Sequence, residues 1–254
     1  MNYFEAILLG LVEGFTEFLP ISSTGHLILA SSLLGIEQTE FVKTFEIAIQ
    51  LGAILAVIIT YWHTLIRVDI IKKLIVGFIP TGIIGFTIYP FAKEYLIGNE
   101  MVVVYSLILG GVALIVFEYF HRDSVQEGGV EAITYKQSML IGLFQSIAII
   151  PGVSRSAATI IGGLSMGLSR RTVIEFSFLL AVPTMLAATG YDLLKTAGSF
   201  TQDDFGILAT GFVAAFVVAL ISIKLLLGFI RRYSFTTFGI YRIVIAILFL
   251  FWAI

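Results

Sequence analysis

Two apolar runs, Phe45 to Trp62 and Leu208 to Ile230, constrain the fold more than any other feature of this chain. Each approaches the roughly 20 residues that a helix needs to cross the hydrocarbon core of a bilayer. Segments of the same kind recur, and six are predicted as spanning helices: Thr44 to Tyr61, Ile70 to Tyr89, Met101 to Phe120, Thr172 to Tyr191, Phe205 to Phe229 and Thr237 to Ala253. Composition agrees, with 58% hydrophobic and 13% charged residues, where a soluble domain carries about 25% charged. The chain therefore reads as an all-α polytopic membrane protein. Its first residues lack a basic region and a small-residue cleavage site, so no removable signal peptide is expected and the N-terminus is assigned to the fold. The absence of cysteine excludes thiolate chemistry and cysteine-ligated metal. The net charge of −2, with Lys and Arg scattered between spans, gives no nucleic-acid footprint.

Two further apolar stretches are broken. Tyr3 to Leu34 is interrupted at Pro20-Ile21-Ser22-Ser23-Thr24-Gly25, and Tyr135 to Met166 at Pro151-Gly152-Val153-Ser154-Arg155. Each arm is too short to cross comfortably and suits a re-entrant helix hairpin, whose irregular backbone is tolerated only where it lines protein or a polar cavity. The two stretches also resemble each other. Gly10-Leu11-Val12-Glu13, followed by Pro20 and Ser23, matches Gly142-Leu143-Phe144-Gln145, followed by Pro151 and Ser154, with a one-residue gap; Thr44-Phe45-Glu46 similarly matches Val173-Ile174-Glu175. Residues 1–254 are thus predicted to form one membrane domain of two repeats, about 1–120 and about 135–254. Each repeat holds a re-entrant hairpin plus three spans, and three crossings turn the second copy over, giving inverted repeats with their breaks meeting near the midplane. Along this path Arg67, Lys72, Lys73, Arg122, Lys136, Arg170, Arg171, Arg231 and Arg232 fall on one side and only Lys43, Lys93 and Lys195 on the other. The positive-inside rule makes the first side cytoplasmic, with both termini and the first hairpin's mouth outside.

The breaks carry the chemistry. Glu13 and Glu17 are one helical turn apart and leave the same face. Carboxylates at membrane depth need a cation, a proton or a basic partner, and an oxygen-rich site without cysteine favours Mg²⁺ or Ca²⁺; the alternative is that they bond amides freed at the break. Ser22, Ser23, Thr24 and His26 follow Pro20. A hydroxyl here either caps the next helix, whose first-turn amides form an anion site, or serves as nucleophile or phosphate ligand. His26 is either its acid/base partner or a hydrogen-bonded strut. The second break supplies Ser154, Arg155, Ser156 and, one turn on, Thr159. A guanidinium at this depth suits phosphate oxygens; otherwise it bridges to Glu175 or Glu46, either of which can also orient it. Gln50 lies one turn beyond Glu46. Together these groups form a kit for binding a polyphosphate through a divalent cation and attacking phosphorus. Pro80, Pro90 and Pro183 are expected as kinks or helix ends, and Gly110-Gly111 and Gly162-Gly163 as close-packing sites.

The run from Glu13 to His26, EGFTEFLPISSTGH, and Pro151-Gly152-Val153-Ser154-Arg155-Ser156 with Thr159 resemble the two signatures of the undecaprenyl-diphosphate phosphatases, the bacterial bacitracin-resistance family. The resemblance extends through Thr44-Phe45-Glu46 with Gln50 and through Glu175-Phe176-Ser177-Phe178. It implies hydrolysis of undecaprenyl diphosphate to undecaprenyl phosphate and inorganic phosphate, recycling the lipid carrier for peptidoglycan synthesis. It further implies a divalent metal, an address in the bacterial plasma membrane and a site open to the external or periplasmic face. Carried over, Glu13 and Glu17 serve metal or acid/base chemistry and His26 assists proton transfer, while Ser23, Ser154, Arg155 and Thr159 engage the diphosphate. Whether Ser23 attacks phosphorus or positions a water stays open. The competing reading is an inverted-repeat transporter or flippase of a polyprenyl phosphate; phosphate release as against flux alone separates the two. Glycine-rich faces permit a homodimer.

Overall fold

The computed structural model describes residues 1–96, 99–121, 128–196, 202–230 and 233–253. Arg122, Arg231 and Arg232, and the side chains of Lys93 and Lys195, lie outside the described residues. The described residues form helices and no strands, in the order α1 (Tyr3–Thr16), α2 (Ser23–Leu33), α3 (Glu40–Thr60), the short α4 (Trp62–Leu65), α5 (Val68–Tyr95), α6 (Glu100–Phe120), α7 (Tyr135–Gln145), α8 (Arg155–Ser165), α9 (Arg170–Thr196), α10 (Gln202–Phe229) and α11 (Thr236–Ala253). Both broken stretches form the short helix pairs expected, α1 with α2 and α7 with α8. The first arm of each pair opens on a capping box: Asn2 and Glu5 bond reciprocally, as do Thr134 and Gln137, which satisfies amides that a helix start leaves free.

Among the described residues, five helices are long and apolar enough to cross a membrane, with spans Glu40–Thr60, Val68–Ala92, Glu100–Phe120, Arg170–Tyr191 and Asp204–Phe229. Helix α11 covers the sixth expected span, Thr237 to Ala253, and its apolar side chains are described over Thr236–Phe251. Pro80, Pro90 and Pro183 lie inside helices, and α5 continues past Pro90 to Tyr95 where the sequence predicted an end at Tyr89. The glycine pairs pack closely as anticipated: a β-carbon would meet the Gly239 carbonyl at Gly111, Phe144 at Gly162 and Val173 at Gly163.

Helices α3 and α9 are the interior pair, each with 56% of its span buried, whereas α5 has only 11% and turns its side chains outward. The surface carries Phe86, Leu109, Phe120 and Phe251, all at least 68% exposed, an apolar exterior that suits lipid and would be an aggregation liability in water. The short paired helices pack against the long ones. Helix α1 packs along α10 and α7 along α5, while α10 also packs on α3 and α5 on α9. Glycine makes these contacts possible: a β-carbon at Gly10 or Gly14 would strike α10 backbone, and one at Gly142 would strike the Gly77 carbonyl. Phe18, in the first break, packs edge-on against Phe178 of α9, with centroids 5.2 Å apart. This contact seats the first break against α9.

At one end of the bundle, Arg67 bonds Asp69 and Glu131, Lys73 bonds the Glu131 carbonyl, Arg170 pairs with Glu118 and Arg171 with Glu175. These contacts join the start of α5 to the segment around Glu131, and the end of α6 to the start of α9.

Candidate active site at two helix breaks

Each break ends at a serine in a backbone conformation that L-residues rarely adopt. Ser22 (φ 73°) and Ser154 (φ 78°) are the only non-glycine residues with positive φ among the described residues, and each is an N-cap. The Ser22 hydroxyl accepts from the Gly25 amide at 3.3 Å and that of Ser154 from the Ala157 amide at 3.2 Å. Ser22 thus acts as the cap the sequence allowed, and Ser154 caps its helix in the same way. It also corrects the register of the internal match: Ser22, not Ser23, corresponds to Ser154, at the same offset that relates Glu13 to Gln145, and no gap is needed. Ser23 and Arg155 are then equivalent, each the first residue of its helix, with a side chain free for other work.

Those two side chains meet on one carboxylate. Glu17 accepts from the Ser23 hydroxyl at Oε2 (2.5 Å) and from Arg155 Nη2 at Oε1 (2.8 Å). Glu17 and Arg155 form a nearly buried ion pair. Arg155 Nη1 donates to the Ser177 carbonyl at 2.8 Å and lies 3.3 Å from its hydroxyl, while buried Nε has no acceptor. A guanidinium has five N–H donors, so Arg155 keeps donors for a ligand. Thr159 lies 2.7 Å from the Ser177 hydroxyl, Ser156 donates to the Leu19 carbonyl at 2.8 Å, and Ser154 is 3.1 Å from Ser156. Ser156 therefore ties the second break to the first. Thr24 is exposed.

Glu13 is fully buried, and neither carboxyl oxygen meets a hydrogen-bond donor. The charged groups acting on it are Glu17, Glu46 and Arg155. Among the described residues no cluster of three or more His, Asp or Glu side chains is arranged to hold a metal ion. The Glu13 and Glu17 pair fits the other common arrangement, in which one or two carboxylates hold a cation whose remaining ligands are phosphate and water. The unpartnered Glu13 oxygens fit that role better than Glu17, already engaged by Ser23 and Arg155.

Three expectations change. His26 does not reach Ser23: its Nδ1 donates to the Ser22 carbonyl at 2.7 Å, and in the neutral ring Nε2 then accepts from the Tyr241 hydroxyl at 2.9 Å. These bonds are those of the strut alternative and join α2 to α11. Glu46 binds the Ser31 hydroxyl (2.6 Å) and the Gln38 amide (3.2 Å), not Arg155. Glu175 pairs with Arg171 at 2.9 Å and likewise does not orient Arg155, a task that falls to Glu17 and Ser177. Gln50 is half-buried and makes no side-chain hydrogen bond within the described residues.

Sequence reasoning missed Ser177, Tyr241 and Arg242. Arg242 is wholly buried and donates to the carbonyls of Pro20, Gly152 and Val153 in the breaks and of Ser106 and Leu107 in α6. The available signal was an arginine inside an apolar segment, which by itself marks a site worth explaining.

An all-helical membrane protein with a buried acid, hydroxyl and guanidinium cluster at paired helix breaks is the class that fold and site define. Residues 6–248 match the family model described as bacitracin resistance protein BacA, and the chain belongs to that family. It is similar along its length to proteins named undecaprenyl-diphosphatase. That of Aquifex aeolicus (strain VF5) is 54% identical over 98% of each chain. That of Sulfurihydrogenibium sp. (strain YO3AOP1) is 51% identical, over 99% of this chain and 100% of the relative. That of Wolinella succinogenes is 53% identical, over 99% and 98%.

Proposed function

We propose that this chain is an integral membrane phosphatase that hydrolyses undecaprenyl diphosphate to undecaprenyl phosphate and inorganic phosphate, returning the lipid carrier to peptidoglycan synthesis and supporting bacitracin resistance. The observation that carries the reading is the meeting of Ser23 and Arg155, first residues of two half-helices, on Glu17. Full-length relatives bearing the diphosphatase name support the same substrate.

The terminal phosphate lies against the spare Arg155 donors and the first-turn amides of α2 and α8, which helix geometry leaves without intrahelical acceptors. Glu17 takes the proton of the group bonded to it. If that group is Ser23, its oxygen attacks the terminal phosphorus, the anhydride P–O bond breaks and its electron pair leaves on undecaprenyl phosphate. Water then hydrolyses the phosphoserine to inorganic phosphate. If Ser23 instead holds a water, that water attacks in one step with the same products. A rapid burst of undecaprenyl phosphate ahead of free phosphate marks the first route and its absence the second. Glu13, with Glu17 beside it, would hold Mg²⁺ or Ca²⁺, which when bound supplies charge neutralisation for the diphosphate. Ser22, Ser154, Ser156 and Thr159 keep the helix starts in place, and exposed Thr24 is available to the lipid phosphate.

The reading extends to two inverted repeats, about 1–120 and 135–254, in one membrane domain. Reciprocal packing supports it, with α1 on α10 and α7 on α5, together with the matched caps at Ser22 and Ser154. The positive-inside distribution supports a site open to the external face and both termini outside. Such a cleft leaves the prenyl tail in lipid while the diphosphate meets water. Phosphate released from a polyprenyl diphosphate by detergent-purified protein, and lost with a chelator, is the expected result. Vesicle flux without phosphate release would overturn hydrolysis in favour of transport.

A further inference from the structure

Arg242 has no carboxylate partner among the described residues, yet it is completely buried. Its Nε donates to Leu107 O (3.3 Å), Nη1 to Pro20 O (3.2 Å) and Val153 O (2.9 Å), and Nη2 to Ser106 O (2.9 Å) and Gly152 O (2.8 Å). A guanidinium has five N–H donors, and each has a carbonyl. Nothing remains with which to hold a phosphate. Three of the acceptors belong to irregular backbone, one in the first break and two in the second, where unpaired carbonyls at membrane depth are costly. The other two lie in α6, reachable because Gly110 has no side chain: a β-carbon there would collide with the guanidinium.

We infer that Arg242 is a positioning residue: by spending all five donors on carbonyls of both breaks and of α6, it fixes the starts of α2 and α8 relative to each other, and so holds Ser23 and Arg155 in register on Glu17. Pro20 O lies three residues before Ser23, and Val153 O two before Arg155, so a slip at either carbonyl is passed directly to a side chain of the site. The adjacent Tyr241, bonded to His26 one turn into α2, anchors the same helix from the same segment of α11. The inference rests on the phosphatase reading for its kinetic consequence but not for its structural one.

Two variants test it. Arg242→Lys keeps the charge with three donors on one atom, which cannot span five carbonyls. Gly110→Ala keeps the arginine and displaces it. Each is expected to lower kcat by about a hundredfold, the order of loss that misplacement of reacting groups by an ångström produces, with KM changed less than about threefold. The double variant should be little worse than either alone, because both break one device. The chain has no cysteine, so spin labels at Leu33→Cys in α2 and Ser165→Cys in α8, both exposed, report the relation of the two helices. Their distance distribution should be narrow with Arg242 and broad in both variants. Folded variants with wild-type kcat and an unchanged distribution would overturn the inference. So would a rise in KM at constant kcat, which would make Arg242 a substrate contact. Should the parent protein release no phosphate, the phosphatase reading fails while the distance measurement still decides the clamp.

Discussion

Two arginines are buried in this molecule within reach of the same helix breaks, and their surroundings assign them opposite work. Arg155 pairs with the Glu17 carboxylate and with the carbonyl and hydroxyl of Ser177, and leaves donors unused. Arg242 sits among carbonyls and leaves none. A guanidinium is costly to bury in either setting. What differs is whether its hydrogen-bonding capacity is exhausted by the fold or held open for an anion. Burial alone does not distinguish a ligand-binding cation from a structural one; the count of satisfied donors does.

The largest effect that separates the two is expected from Arg155→Ala. Loss of a phosphate-directed arginine commonly costs a thousandfold or more, and phosphate release should fall by at least about that much. The truncation also leaves Glu17 as an unpaired buried carboxylate, a cost of about 3–5 kcal/mol where a buried pair loses one partner. Adding Glu17→Gln should restore the thermal midpoint in detergent without restoring turnover. If the double variant stayed as unstable as the single one, the pair would not be what holds Arg155 in place.

Glu13→Gln probes the acidic side of the Arg155 site. With both carboxyl oxygens already lacking donors, the amide should leave the thermal midpoint unchanged or raised. The divalent-cation concentration for half-maximal activity should rise more than about a hundredfold, exceeding the loss seen when only an outer partner of a metal ligand is removed. Chelation should silence the parent protein, and Mg²⁺ or Ca²⁺ should restore it. A metal titration unmoved by the substitution would remove Glu13 from the site.

Ser156→Ala tests the bridge between the breaks that Arg242 shares. Ser156 donates a single neutral hydrogen bond to Leu19 O, worth about 1 kcal/mol. A loss of stability near that size and a kcat reduced only severalfold are expected, far below Arg242→Lys. An effect on kcat as large as that of Arg242→Lys would mean that the serine, rather than the arginine, carries the register.

Much of this site was legible because membrane depth makes polar residues conspicuous. Pro20 and Pro151 with their serines marked the breaks, and Glu13, Glu17, Ser23 and Arg155 stood out against apolar arms. The register between the halves was harder: aligning proline on proline set Ser23 against Ser154, whereas backbone conformation pairs Ser22 with Ser154. A proline can sit one place to either side of a tight loop, but the cap is fixed by the helix that follows. Arg242 was overlooked because α11 was read for length, although an arginine amid Ile240, Tyr241, Ile243 and Val244 is as exceptional as Arg155. Its role required tertiary structure, since backbone carbonyls leave no signature in side-chain sequence. For His26 a strut was one of the two readings the sequence left open, but its partner Tyr241 was not visible, because it lies far away in the chain.

The smallest effect expected is at Glu175, and it bears directly on what orients Arg155. From sequence, Glu175 was a plausible anchor, two residues before Ser177 on the same helix. A helix turns by about 100° per residue, so two steps along α9 nearly reverse the direction in which a side chain leaves. Ser177 faces Arg155, and Glu175 instead pairs with Arg171, itself 68% exposed. An ion pair with so exposed a partner contributes about 0–1 kcal/mol. Glu175→Gln should therefore leave kcat and KM for a polyprenyl diphosphate at parent values, with a thermal midpoint lowered by no more than a few degrees. Ser177→Ala, which removes a hydroxyl shared by Arg155 and Thr159 while keeping the carbonyl that Arg155 binds, should weaken turnover severalfold. A Glu175→Gln protein that lost activity as Ser177→Ala does would place the acid back beside the guanidinium and undo the contrast between an arginine with donors left open and one whose donors the backbone exhausts.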